Sequence, residues 1–115
     1  MCGIVGVLSP HPVEKNRLEK ALSSLHKRGP DGRGLWWSED GRVGLGQARL
    51  AINDSAGGGQ PLVSEDFVAS VNGEFYDLPT AYQGLSDSLA LPRFVRDHGL
   101  DGALERLRGE FAFLL

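Results

Sequence analysis

The sequence predicts a single α+β domain, on three observations. Its 115 residues suffice for one domain and not for two. Asp40-Gly41, between the apolar runs 35–38 and 42–52, is a strong signal for an antiparallel hairpin. Two further stretches, 13–27 and 86–97, carry apolar residues at helical rather than alternating spacing.

Each element has its own warrant. Cys2 to Leu8 is a short apolar run with β-branched residues, closed by Ser9-Pro10, and reads as a buried strand. Leu18, Ala21, Leu22 and Leu25 recur at steps of three and four, giving an amphipathic helix over 13–27 that breaks at Arg28-Gly29-Pro30-Asp31-Gly32. The hairpin strands follow, then a loop from Ser55 to Gln60. Phe67 to Tyr76 reads as a strand interrupted at Asn72-Gly73. Ser86-Asp87-Ser88 supplies capping residues for a helix reaching Asp97, and Pro92 fits best in a first turn that starts near Leu89. A short helix over 101–107 and an apolar strand over 111–115 complete the chain.

Composition removes several functions. At 41% hydrophobic and 23% charged the chain has an ordinary globular balance. A net charge of −3 with scattered basic residues gives no footprint for nucleic acid. No apolar run approaches the ~20 residues of a membrane span, and no basic lead-in precedes an apolar segment at the N-terminus. One cysteine forms no internal disulfide, and the three histidines lack ligand spacing, so neither a metal site nor a cofactor of its own is expected. A cytoplasmic location fits this composition.

The chemistry-bearing residue is Cys2. Removal of Met1, common before a small second residue, leaves Cys2 with a free α-amine. Reference pKa values of ~8.5 for a thiol and ~7.7–8.0 for an α-amine let one residue hold nucleophile and base. Alone, Cys2 reads as a small buried residue at a strand start. Its setting changes that reading: Met1-Cys2-Gly3-Ile4, Arg28-Gly29-Pro30-Asp31, Arg49-Leu50-Ala51-Ile52, Gln60-Pro61, Asn72-Gly73-Glu74, Ser86-Asp87 and Leu107 to Phe113 follow in fixed order.

Together these motifs resemble the glutamine-hydrolysing domain of the asparagine-synthetase-like class II amidotransferases over the whole chain. The resemblance implies the αββα sandwich of N-terminal-nucleophile hydrolases, with antiparallel sheets, and covers only the N-terminal portion of a usual domain. It implies L-glutamine as substrate and Cys2 as nucleophile. It also implies Asn72 and Gly73 as donors to the tetrahedral oxyanion, and a pocket lined by Arg49, Leu50, Ala51, Ile52 and Asn53. Arg49 has the planar fork to hold the substrate α-carboxylate, and Asp87, with Glu74 beside it, the charge to hold the α-ammonium. The resemblance also puts Arg28 to Asp31 in a loop near the active site. Bland readings stand beside these: a hairpin turn at Asn72-Gly73, a surface strand for Arg49, a helix N-cap at Asp87, and a helix-ending turn at Arg28 to Asp31.

The chain departs from the family pattern at three places. Gln47-Ala48 replaces a usual basic pair, and the segment between Tyr76 and Ser86 is too short for the family's helix of two or three turns. The synthetase domain, which would use ATP and magnesium, lies outside the 115 residues. The expected partner is therefore a synthetase subunit that completes the domain, or a second copy of the chain, meeting an apolar edge at Phe111, Phe113 and Leu115. The alternative is a non-catalytic amidotransferase-like subunit with an assembly or regulatory role; a third is an amidase acting on another amide.

Overall fold

A computed structural model describes residues 2–50 and 59–115. The elements run β1 (Gly3–Leu8), α1 (Lys15–Ser24), β2 (Gly32–Trp37), β3 (Val43–Arg49), β4 (Leu62–Val63), β5 (Val68–Tyr76), α2 (Asp87–His98), α3 (Leu100–Arg106) and β6 (Arg108–Leu114). They form two antiparallel three-stranded sheets, ordered β1-β3-β2 and β4-β5-β6.

The hairpin signal is realised. β2 and β3 pair from Gly32↔Arg49 to Trp37↔Gly44, and Gly41 sits at φ 67° in the turn. Asp40 accepts from the Ser38 hydroxyl at 2.6 Å and from Arg42 N–H at 3.1 Å, and these two bonds hold its carboxyl below the usual aspartate range.

α1 covers one face of the first sheet through buried Leu18 and Leu22, which reach Gly44 and Gly46 of β3. The helix ends at Ser24, short of the expected residue 27. Ser23 and Ser24 hydroxyls turn back to the carbonyls of Glu19 (2.8 Å) and Ala21 (2.7 Å), and Ser side chains that bind local carbonyls weaken helix propagation.

The second sheet packs its odd-numbered face on α2 and α3. Ala69, Val71 and Phe75 of β5 join Tyr82, Ala90, Leu91, Phe94, Val95, Ala103 and Leu107 in one buried cluster. Phe111 and Phe113 pack against it from β6, so the aromatic side chains of the terminal strand are taken up within the chain. The opposite, even-numbered face meets the first sheet: Leu114, opposite Ser70, lies against Gly6 of β1, and buried Gln47 reaches Val71. Helix, sheet, sheet and helices are therefore stacked in that order.

Three local expectations are corrected. β5 is continuous through Asn72 and Gly73, which pair with Ala112 and Phe111, so no hairpin turn forms there. α2 begins at Asp87 with Ser86 as N-cap and no side-chain cap bond, so Asp87 is the first helical residue and not the cap. Pro92 lies inside that helix; its missing N–H leaves one backbone bond unmade, which the burial of Ala90, Leu91, Phe94 and Val95 offsets.

The short segment after β5 holds one 3₁₀ turn, Thr80–Tyr82, in place of a longer helix. Its Tyr82 is buried, stacks edge-on against Phe94 at 4.9 Å, and donates its hydroxyl to Asp97. That bond to a carboxylate, with burial second, raises the Tyr82 pKa. Among the described residues, no helix is long and apolar enough to cross a membrane.

Candidate active site

Cys2 immediately precedes β1, which is the edge strand beside β3. Pairing of Gly3 with Ala48 brings the cysteine alongside the end of β3. There Leu50 N–H donates to Cys2 Sγ at 3.4 Å, and Sγ lies 3.9 Å from Leu50 O. The half-buried thiol is thus held by main chain one residue beyond Arg49.

The loop after α1 comes to the same place. Arg28 Nε donates to Cys2 O at 3.3 Å, and Asp31 N–H donates to Arg49 O at 2.9 Å. Gly29 packs so closely on β3 that a Cβ would overlap the Ala48 carbonyl. The residues alone give this loop a helix-ending role and the resemblance puts it near the active site; Arg28 does touch the residue on which the site depends.

Arg49 ends β3 half-buried, opposite Gly32. Ala51, Ile52 and Asn53, also assigned to the pocket, lie outside the described residues.

Asn72, Gly73 and Glu74 follow one another on β5. Strand alternation sends Asn72 and Glu74 to the face shared with the first sheet, because Val71 and Phe75 lie in the helical core. Two cross-sheet contacts fix the relative direction of the layers: Gly6 meets the residue opposite Ser70, and Gln47, the partner of Ile4, meets Val71. Moving along β1 from Gly6 back to Cys2 therefore follows β5 from Ser70 toward Glu74.

Gly73 must be glycine for a reason of its own. At φ 156°, an added Cβ would lie 2.5 Å from Phe111 Cα and would overlap the Glu110 carbonyl oxygen. Gly109 mirrors it against Glu74. Close approach of β6 therefore demands the missing Cβ.

Asp87 faces β5 from the first turn of α2, with its carboxylate near the Phe75 main chain. Its pKa is raised: partial burial is the largest cause, the nearby Phe75 main-chain N–H opposes it, and the Glu74 charge adds to it. Glu74 in turn sits directly opposite Glu110. Tyr76, next along the strand on this face, has its pKa raised chiefly by Glu110.

Two residues that the sequence reading left without a role complete the arrangement. Gln47 Nε2 donates to Val71 O at 3.0 Å, and Val71 N–H donates to Gln60 Oε1 at 2.9 Å. Gln60 Nε2 then donates to Ser88 Oγ, beside Asp87. An open cleft of about 270 Å³ between α1 and β2, lined by Glu19, Leu22, Ser23, Arg33, Gly34 and Leu35, contains none of these site residues. Among the described residues, no group of three or more His, Cys, Asp or Glu is placed to hold a metal ion.

The class of protein follows from comparison. The chain belongs to the glutamine amidotransferase domain family, whose model matches residues 1–115. More particularly, it is 36% identical to asparagine synthetase [glutamine-hydrolyzing] 1 of Bacillus subtilis and 37% identical to the asparagine synthetase [glutamine-hydrolyzing] of Asparagus officinalis. Both alignments cover all of this chain, and 20% and 21% of the respective relatives. It is also 40% identical, over 85% of its length, to amidase chry2 of Gibberella zeae, of which it covers 16%. The chain thus spans about a fifth of the length of the curated relatives it matches.

Proposed function

We propose that this chain is the glutaminase component of an asparagine-synthetase-like amidotransferase, with the architecture of an N-terminal-nucleophile hydrolase. The observation that carries the reading is the Cys2 thiol, held 3.4 Å from Leu50 N–H beside Arg49, in a chain that matches the glutamine amidotransferase domain throughout.

In this reading, Met1 is removed and the α-amine of Cys2 accepts the thiol proton. The sulfur attacks the carboxamide carbon of L-glutamine, and the Asn72 side chain and Gly73 N–H receive the oxyanion. The C–N bond breaks, the amine returns a proton to the leaving nitrogen, and ammonia departs from a γ-glutamyl thioester on Cys2. Water then hydrolyses the thioester to glutamate. Arg49, with Leu50 and the segment 51–53, receives the α-carboxylate end, and Asp87 with Glu74 the α-ammonium. Ammonia passes to an ATP- and magnesium-dependent synthetase partner, in the cytoplasm, and the chain itself carries no cofactor.

The relative named amidase supports a second reading, hydrolysis of a different amide by the same nucleophile. Ammonia release from L-glutamine, compared with a panel of simple primary amides, separates the two. Release from glutamine that is lost in Cys2→Ala supports the first. Turnover of simple amides without glutaminase activity supports the second. An inert chain leaves the non-catalytic subunit as the reading.

A further inference from the structure

The open edge of β5 is closed by side chains where a neighbouring strand would pair. β4 is only two residues long and covers β5 no further than Ala69. Beyond it, Val71 turns both main-chain polar groups away from β6: its N–H to Gln60 Oε1 at 2.9 Å, and its C=O to Gln47 Nε2 at 3.0 Å. Strand alternation directs the N–H and C=O of Gly73 and Phe75 to this same edge. The Asp87 carboxylate lies near the Phe75 main-chain N–H. Gly73 is therefore the next position on this edge after the clamped Val71, with its N–H facing outward.

Both amides are themselves fixed. Gln47 is 1% exposed on the central strand of the first sheet. The Gln60 main chain presses on Gly34 of β2, where a Cβ would fall on the Gln60 carbonyl oxygen, and its side-chain nitrogen is held by Ser88. The clamp on Val71 is thus anchored in the first sheet, in β2 and in the first turn of α2. Among the described residues the buried Gln47 Oε1 has no hydrogen-bond partner, so its amide is retained at a cost in desolvation.

We infer that Gln47 and Gln60 are positioning residues that hold Val71, and through it set where Asn72 and the Gly73 N–H point. This rests on the glutaminase reading above, in which those two groups receive the oxyanion. Donors that serve a transition state must be placed before the charge develops, and displacement by ~1 Å can cost ~10²-fold in rate. The clamp has a polarity: Val71 N–H requires an acceptor from residue 60, and Val71 C=O requires a donor from residue 47.

The test uses four variants of the purified chain: Gln60→Glu, Gln60→Met, Gln47→Glu and Gln47→Met. A carboxylate at 60 still accepts from Val71 N–H and can accept from the Ser88 hydroxyl, so Gln60→Glu is expected to keep kcat within about threefold. Gln60→Met and both Gln47 variants are expected to lose ~10–10²-fold in kcat with KM within about twofold, because ground-state contacts to glutamine are untouched.

Two-dimensional ¹H–¹⁵N NMR of the same variants reads the positioning directly. The Gly73 amide should shift or broaden in the three disruptive variants and hold in Gln60→Glu. An inactive wild type would refute the glutaminase reading and leave the NMR comparison to decide the positioning. Equal behaviour of Gln60→Glu and Gln60→Met, or an unmoved Gly73 amide in folded Gln47→Met, would overturn the inference.

Discussion

Leu50 N–H points at the sulfur of Cys2 across 3.4 Å, so the second residue of the chain and the residue after β3 meet although 48 positions separate them. The contact depends on the pairing of β1 with β3, and β1 begins only one residue after Cys2. It fixes the thiol beside Arg49, and the following predictions build on that placement.

Arg49→Ala should act on binding more than on chemistry. Loss of a bidentate guanidinium–carboxylate pair is expected to raise KM for glutamine by ~10²-fold with kcat within about threefold. Steady-state kinetics check this. A glutamine analogue with a neutral amide in place of the α-carboxylate should bind the variant and the parent equally.

Asn72→Ala should lower kcat by ~10²–10³-fold, the usual consequence of losing one oxyanion donor, with little change in KM. Unchanged turnover would mean that the oxyanion is received elsewhere.

Gly73→Ala is a test of packing. A methyl group there meets Phe111 Cα at 2.5 Å on a strand pair that also holds the core residues Val71 and Phe75. Separation of β5 from β6 is expected to cost at least ~2 kcal/mol, read as a lowered denaturation midpoint by chemical unfolding. Gly109→Ala, its counterpart across the strand pair, should behave alike.

Asp87 gives a pH signature. Its pKa lies above the ordinary aspartate value, first because burial disfavours the anion. The carboxylate therefore loses its charge at a higher pH than a free aspartate as acid is added, and KM for glutamine should begin to rise there. Asp87→Asn should raise KM by ~10-fold at neutral pH and flatten the profile. Its stability should stay within ~1 kcal/mol of the parent, because the amide is isosteric with the carboxylate and only the favourable charge at the helix N-terminus is lost.

Much of this fold is legible from side-chain pattern. The Asp40-Gly41 hairpin, the apolar spacing of Leu18 and Leu22, and the apolar run of β1 all depend on local chemistry, and each forms near its expected bounds. Asn72-Gly73 misleads because its turn preference is local, whereas pairing of Gly73 with Phe111 is not; tertiary contact overrides the preference. Pro92 misleads likewise, since burial around it sustains a helix that local rules would start later.

The clamp by Gln47 and Gln60 is invisible in sequence for a different reason. Both amides bind main-chain atoms of Val71, and main-chain partners leave no pattern in residue types. The particular contact of Arg28 is hidden in the same way, since its partner is the carbonyl of Cys2.

The central claim is that Cys2, freed of Met1, is the glutamine-directed nucleophile. Its most direct measurement is mass spectrometry of the intact chain and its N-terminal peptide after exposure to an electrophilic diazoketone analogue of L-glutamine. The account predicts one adduct per chain, carried by Cys2 in a peptide that begins with that residue. L-glutamine should prevent the adduct, and Arg49→Ala should slow its formation. A retained Met1, or a Cys2 that stays unlabelled while the chain is folded, would contradict it.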